Sequence, residues 1–431
     1  MLGWLIRRHL HSSPLKLLPP AQPGKFYGNS HIFRYAAMDS IGFSLRQLIF
    51  FGKMLWASGF YSEADSEQRL VRGANFVKSQ LPVRIARRIR DIQSLPFIVA
   101  SNPNLNAALK LYVEAFEKLR SYPPICNCQD NQRWCEFLEK ILDQHRIVIP
   151  QLAIGIAESS DHLTPHQIDS FMTRMLQSRI SRRVLAQHHI ALTSQFHSAP
   201  QLKRSKIGVV DIDLRVADGI EKCIRLAQAT LGLKHSPGSE PVLDVMLTGE
   251  QDARFAYIAD QLEYIMFELL LNSFKATLKH AHQRALPPAH FPISIHIVSS
   301  PTQLTIRLSD HAGGIRSAFS PSLSDEDDFP PSVTRRELFS FSHLAKRKDR
   351  LKGLIKTGGL TGTVGEQVQD NGSSTMGSTE EEKEVQEARL RIGLPLSSIY
   401  AQFFGGSLEM YSIEGSADAV LRIPKLGTTT E

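Results

Sequence analysis

The chain has 431 residues, 42% hydrophobic and 22% charged, enough to bury ordinary cores in two domains. No stretch approaches the roughly 18 uninterrupted apolar residues of a membrane-crossing helix. The net charge of +7 does not mark a nucleic-acid binder, because five basic residues and no acid fall within residues 1–38, so most of the excess is local.

That first stretch begins MLGWLIRRHLHSSPLKLLPP, with Leu2, Trp4, Leu5 and Ile6 beside Arg7 and Arg8, then Ser12 and Ser13. Arg and Ser without acids on an amphipathic segment is the composition of a mitochondrial transit peptide, which predicts a leader over 1–38. The plainer alternative is a basic tail without fixed structure.

From about Ser44 to Ala199 the pattern is helical. LPVRIARRIRDIQSLPF puts Val83, Ile85, Ile89 and Ile92 near one face, LNAALKLYVEAFEKL does the same, and FMTRMLQSRISRRVLAQHHIALT continues it. Breaks fall at Pro103, at Tyr122-Pro123-Pro124 and near Thr164-Pro165. An antiparallel helical bundle over 40–200 is the simplest architecture. Within it, Cys126, Cys128 and Cys135 raise a zinc site, but the segment has no His and Cys-x-Cys is an uncommon half-site. Reduced thiols on a surface loop are the preferred reading.

After about Lys206 the texture alternates. GVVDIDL is a strand, Val216 to Leu231 a helix, and VLDVMLTG a second strand. FPISIHIVSS and QLTIRLSD pair as a hairpin across Ser300-Pro301-Thr302, as do GSLEMYSIEG and AVLRIPKL. The fold class is α+β: a helical bundle followed by an α/β sandwich with a mixed sheet over 206–427. Residues 340–392 stand apart, with a basic run, a Gly/Thr/Ser-rich stretch and then acids, which reads as a lid and insertion.

Three signals carry chemistry. In QLEYIMFELLLNSFKATLKHAHQ, with Asp260 and Glu263 as an expected capping box, Tyr264, Glu268 and Asn272 recur at four-residue steps and share a face amid apolar neighbours. A carboxylate and an amide set there call for a ligand, a metal or local hydrogen bonds. In LSDHAGGI, Asp310 is an acceptor beside Gly313 and Gly314, a backbone bare enough for a flat ring to approach, although Asp-turn-Gly-Gly is also a common turn. In RIGLPLSSIYAQFFGGSLEM, Gly393 and Leu394 precede a helix expected from about Leu396, and a helix N-terminus suits phosphate.

The order of these signals resembles the ATP-binding domain of the mitochondrial 2-oxoacid dehydrogenase kinases, the pyruvate and branched-chain ketoacid dehydrogenase kinases. LPVRIARRI, LPFIVASNP and SRISRRVLAQHH are similar to that family's helical domain. The resemblance implies a histidine-kinase-type (GHKL, Bergerat) nucleotide fold. It implies a serine kinase of the mitochondrial matrix that uses ATP and Mg²⁺ and acts on the alpha subunit of a 2-oxoacid dehydrogenase complex. It also implies a lipoyl-bearing core as anchor and a homodimer, with no nucleic acid and no membrane insertion. By position, Glu268 would orient or deprotonate the acceptor serine, Asn272 would hold Mg²⁺, and Asp310 would accept from the adenine amino group. Gly313 and Gly314 would let the nucleotide sit close, and the lid with Gly393 and Leu394 would cover the triphosphate. Tyr264 and the wording LEYIMFELL look more like the branched-chain member.

The sequence departs from the family pattern at Leu271, at Ala312, at Arg389 and Arg391, and in a shortened Gly415-Ser416-Ala417-Asp418 element. A pseudokinase that binds and regulates the complex is therefore the second hypothesis. A third is a histidine kinase with His188 or His189 as acceptor, but Ile190 and Ala191 follow where that class has an acid. A chaperone or topoisomerase ATPase fits less well, because the helical domain comes first.

Overall fold

A run of helices folds first because its apolar residues recur at helical spacing, and capping residues sit where the runs stop. The computed structural model describes residues 30–55, 63–197, 205–233, 243–315, 338–347, 392–413 and 415–426. The bundle comprises α1 (Ser30–Ala36), α2 (Leu45–Leu55), α3 (Glu63–Gln93), the short α4 (Phe97–Ala100), α5 (Pro103–Ser121), α6 (Cys128–Gln144), α7 (Val148–Glu158) and α8 (Pro165–His197).

Pro103 takes the first position of α5, where its missing N–H costs nothing, and the Asn102 side chain accepts from Asn104 N and Leu105 N. The same Asn102 donates to Glu158 at 2.8 Å and so ties the start of α5 to the end of α7. The break predicted at Thr164-Pro165 is the start of α8. Residues on every side of α8 are buried, polar ones included, which makes it the central helix.

One boundary moves. Residues 30–36 fall inside the predicted leader, yet α1 packs on α3, with Ile32 and Ala36 buried, Arg90 over the Phe33 ring and Tyr35 edge-on to Phe116. The bundle therefore takes in these residues, because Ile32, Phe33 and Tyr35 supply an apolar face that the absence of acids had masked. Residues 1–29 lie outside the described ones.

The second part holds β1 (Lys206–Ile207), β2 (Val210–Arg215), α9 (Val216–Thr230), β3 (Val245–Gly249), β4 (Arg254–Tyr257), α10 (Ala259–Arg284), β5 (Ile293–Ser299), β6 (Gln303–Asp310), α11 (Gly393–Phe403), β7 (Ser407–Ile413) and β8 (Ser416–Pro424). The larger sheet runs β3-β5-β6-β8-β7, parallel only between β3 and β5, so it is mixed as predicted. Ile293, Ile295 and Ile297 on β5 and Leu304, Ile306 and Leu308 on β6 point to the core, while His296, Val298 and Arg307 face out. On the core face α10 and α11 lie against strands and each other, with α9 beside α10.

The predicted architecture, a bundle followed by an α/β sandwich, is the observed one. The sequence reading misses β4, whose four residues are too few to show a period, and with it the separate antiparallel sheet β1-β2-β4. The two parts meet where α8 packs on α11 and where α7 receives a short 3₁₀ turn, Ser342–Arg347.

Candidate active site

The site is built on α10. This helix starts at Ala259 with Ile258 as its cap residue and no side-chain cap bond, so the expected Asp260/Glu263 capping box does not form. Glu263 instead reaches Lys222 of α9 at 2.6 Å, an opposite charge outbidding the backbone N–H. Along the expected face, burial falls stepwise: Tyr264 is enclosed, Glu268 half-buried and Asn272 exposed. The face thus leads from the core to solvent. Leu271 points into the core, away from Asn272.

The helix expected from about Leu396 begins three residues earlier, at Gly393. A Cβ at Gly393 would lie 2.1 Å from Glu268 Oε2, so the first turn of α11 lies directly on that carboxylate. Only glycine leaves room, and the positive end of the helix dipole faces the negative group. One turn into α11 and beyond, Tyr400 meets Tyr264 with ring centroids 5.0 Å apart. Leu394 is half-buried and packs on the core.

Asp310 ends β6 and is buried. Its Oδ2 accepts from Ser273 Oγ at 2.8 Å and its Oδ1 from Ala312 N at 3.2 Å. Burial pushes its carboxyl above the ordinary range, partly offset by these two donors. Ser273, adjacent to Asn272, thereby links the exposed amide on α10 to the acid at the strand end. The sequence reading missed Ser273, since nothing local marks a serine whose partner is 37 residues away.

Gly313 and Gly314 both have positive φ, 87° and 76°. At Gly313 a Cβ would also come within 3.1 Å of the His280 ring. The loop is pinned by Gly313 N donating to Gly415 O at 3.1 Å and Ile315 N to Ser412 Oγ at 3.0 Å. Ala312 contributes its N–H, which any residue carries. Ala417, in the shortened element, sits across from Asp310 in the β6–β8 register.

Base and far end of the predicted lid are described, namely 338–347 and residue 392 onward. At its base Ser340 Oγ donates to Asp169 of α8 at 2.9 Å, and Phe341 N to the same carboxylate at 2.7 Å. Arg389 and Arg391 lie outside the described residues.

His188 and His189 are buried within α8, and burial drives them down to about 3 and about 4. Asn131 gives its amide N–H to Thr193 at 3.0 Å and presents Oδ1 to His189 Nε2 at 2.7 Å, while His188 packs on Gly208. Enclosed this way, neither ring is open to a phosphate. Cys135 is buried with its Sγ on Thr193 Oγ1 at 3.5 Å, whereas Cys126 is exposed.

The sequence model of the family described as mitochondrial branched-chain alpha-ketoacid dehydrogenase kinase matches residues 42–211. A mitochondrial [pyruvate dehydrogenase (acetyl-transferring)] kinase of Arabidopsis thaliana is 24% identical over 93% of this chain and 94% of its own length. The chain is similar to the mitochondrial 2-oxoacid dehydrogenase kinases. Two more relatives match at similar levels: the mitochondrial [pyruvate dehydrogenase (acetyl-transferring)] kinase isozyme 1 of Homo sapiens, 26% identical over 82% of this chain and 73% of its own, and kinase 2 of Saccharomyces cerevisiae, 23% identical over 83% and 78%. Among solved structures, the catalytic domain of the histidine kinase ThkA aligns with 49% of the chain and 95% of its own, at 12% identity and a TM-score of 0.27.

Proposed function

We propose that this chain transfers the γ-phosphoryl group of Mg-ATP to a serine on the alpha subunit of a 2-oxoacid dehydrogenase in the mitochondrial matrix, and so inactivates it. The observation that carries this reading is the convergence, on one helix and one strand end, of Glu268, Asn272 and Asp310, with bare glycine backbone beside Glu268 and Asp310. Glu268 serves the acceptor hydroxyl, orienting it and taking its proton. Asp310, fixed by Ser273 and the Ala312 amide, accepts from the adenine amino group. Gly313 and Gly314 let the base lie close.

The donor set fits Mg²⁺ in the mode that ion prefers, one or two protein oxygens with the rest from phosphates and water. Among the described residues no cluster of three His, Cys, Asp or Glu would form a closed protein cage, and Asn272 offers a single exposed amide oxygen one turn from Glu268. When bound, Mg-ATP supplies the phosphoryl group. The lid and the first turn of α11, Gly393 and Leu394, close over the phosphate side. We further propose a homodimer and attachment to the lipoyl-bearing core of the complex.

Tyr264 and the family match over 42–211 favour the branched-chain complex, while the curated relatives named above act, by name, on pyruvate dehydrogenase. Incubating the full chain and Mg-ATP with each purified complex and following its dehydrogenase activity decides the substrate. Progressive loss for one complex only is the expected outcome. Unchanged activity of both, with the chain still bound, would point to the regulatory pseudokinase instead.

A further inference from the structure

We propose that the cleft between the two domains receives the acceptor protein as an extended segment, with the side-chain oxygen of Gln261 taking one of its backbone N–H groups. This inference rests on the kinase reading of the Glu268 site.

A cavity of about 570 Å³ opens between α8 and the first turn of α10. Ala191 and Val184 wall it on the bundle side, and Ile258, Gln261 and Tyr400 on the other. Asn272, Asp310 and Gly313 are not part of its lining, so it is distinct from the proposed nucleotide position. Gln261 is only 5% exposed, yet its Oε1 has no hydrogen-bond partner. A buried acceptor left unpaired is unfavourable, and a donor entering the cleft would satisfy it.

The cleft lies two helical turns from the proposed catalytic carboxylate. Gln261 and Glu268 are seven residues apart on one face of α10, which places them about 10 Å apart along the helix axis. Tyr264 lies between them, and its ring packs on Tyr400, which lines the cavity. Gly393, two turns before Tyr400 on α11, lies on Glu268. The two helices therefore run antiparallel, and the seam between them leads from the carboxylate to the cavity. An extended chain advances about 3.3 Å per residue, so a serine held at Glu268 puts its third neighbour on one side opposite Gln261. The cavity lining includes Asp143 and Asp260 together with Arg146 and Arg183. Charges of both signs suit a peptide better than a compact anion such as a second nucleotide.

The test uses the full chain as wild type, Gln261→Leu and Ala191→Trp. Initial rates would be measured with Mg-ATP and the purified dehydrogenase components as acceptors, together with thermal melts and nucleotide-free binding of the same acceptors by biolayer interferometry. Loss of one hydrogen bond in Gln261→Leu should raise the KM for the acceptor about fivefold. Filling the cleft in Ala191→Trp should raise it by more than about tenfold. The KM for ATP should hold in both, and Gln261→Leu should melt no lower than wild type, since it removes an unpaired buried oxygen. An unchanged acceptor KM in both variants would overturn the proposal, as would a rise in both KM values accompanied by a lower melting temperature. If wild type phosphorylates neither acceptor, the kinase reading fails separately. Interferometry then decides the cleft: weaker binding by both variants supports it, and equal binding overturns it.

Discussion

Glu268 and Gly393 are residues from distant parts of the chain whose fit leaves no room for a single methyl group. Gly393→Ala would displace the Glu268 carboxylate and should lower turnover by more than about tenfold, with nucleotide affinity changed less; steady-state kinetics beside ATP titration would check both. Asp310 gives a pH-dependent prediction. Its upward shift means that the folded chain holds this proton more tightly than the unfolded chain. That contribution to stability is full below the ordinary carboxylate pKa of about 4 and is lost as pH rises through the elevated value. Asp310→Asn escapes this loss, so its melting temperature relative to wild type should climb from pH 4 to pH 7 while ATP binding falls. A constant difference across that range would refute the assignment. At this scale Glu268, Asn272, Asp310 and the glycines are legible in the sequence, because polar groups in an apolar run and paired glycines after a strand are local patterns. Ser273 and Gln261 are not, because one matters through a partner 37 residues away and the other through a cavity.

Among the elements, α8 holds the bundle together while meeting α11 and the 3₁₀ turn at Ser342–Arg347. His188 and His189 are kept neutral inside it, at about 3 and about 4 against an ordinary value of about 6.5. Because these folded values are depressed, the stability they represent is present above pH 6.5 and drains away as pH falls toward 4. Melting temperatures should therefore drop between pH 7 and pH 5, and His189→Gln should flatten that slope. Asp169 takes both Ser340 Oγ and Phe341 N. Asp169→Ala should cost about 1–3 kcal/mol and raise the KM for ATP, since the segment leading into the expected lid loses its anchor. Urea denaturation and kinetics would test the two effects. Helices are legible here because their periods run for ten residues or more, and the hairpins because their alternation runs for seven to nine. Helix starts are less so: α10 and α11 begin before the polar residue or proline that suggests a start, since packing against neighbours, rather than a cap, sets where they begin.

For the whole molecule, the order of bundle then sandwich is readable from the change of texture near Lys206, while the way the halves meet is not. The sequence carries no sign that α8 would lie on α11 or that a cleft would open beside Gln261, as both depend on surfaces assembled from both domains. The same holds for α1, which a composition argument assigns to a leader and tertiary packing assigns to the bundle. The proposed reaction moves a phosphoryl group onto serine by means of Glu268. It is tested most directly by incubating the chain with γ-labelled ATP, Mg²⁺ and each purified dehydrogenase, followed by phosphoamino-acid analysis, with Glu268→Gln in parallel. Phosphoserine is expected on one alpha subunit, reduced about 100-fold or more in the variant, which retains ATP binding. Absence of label from wild type, or labelling that survives in Glu268→Gln, would contradict it.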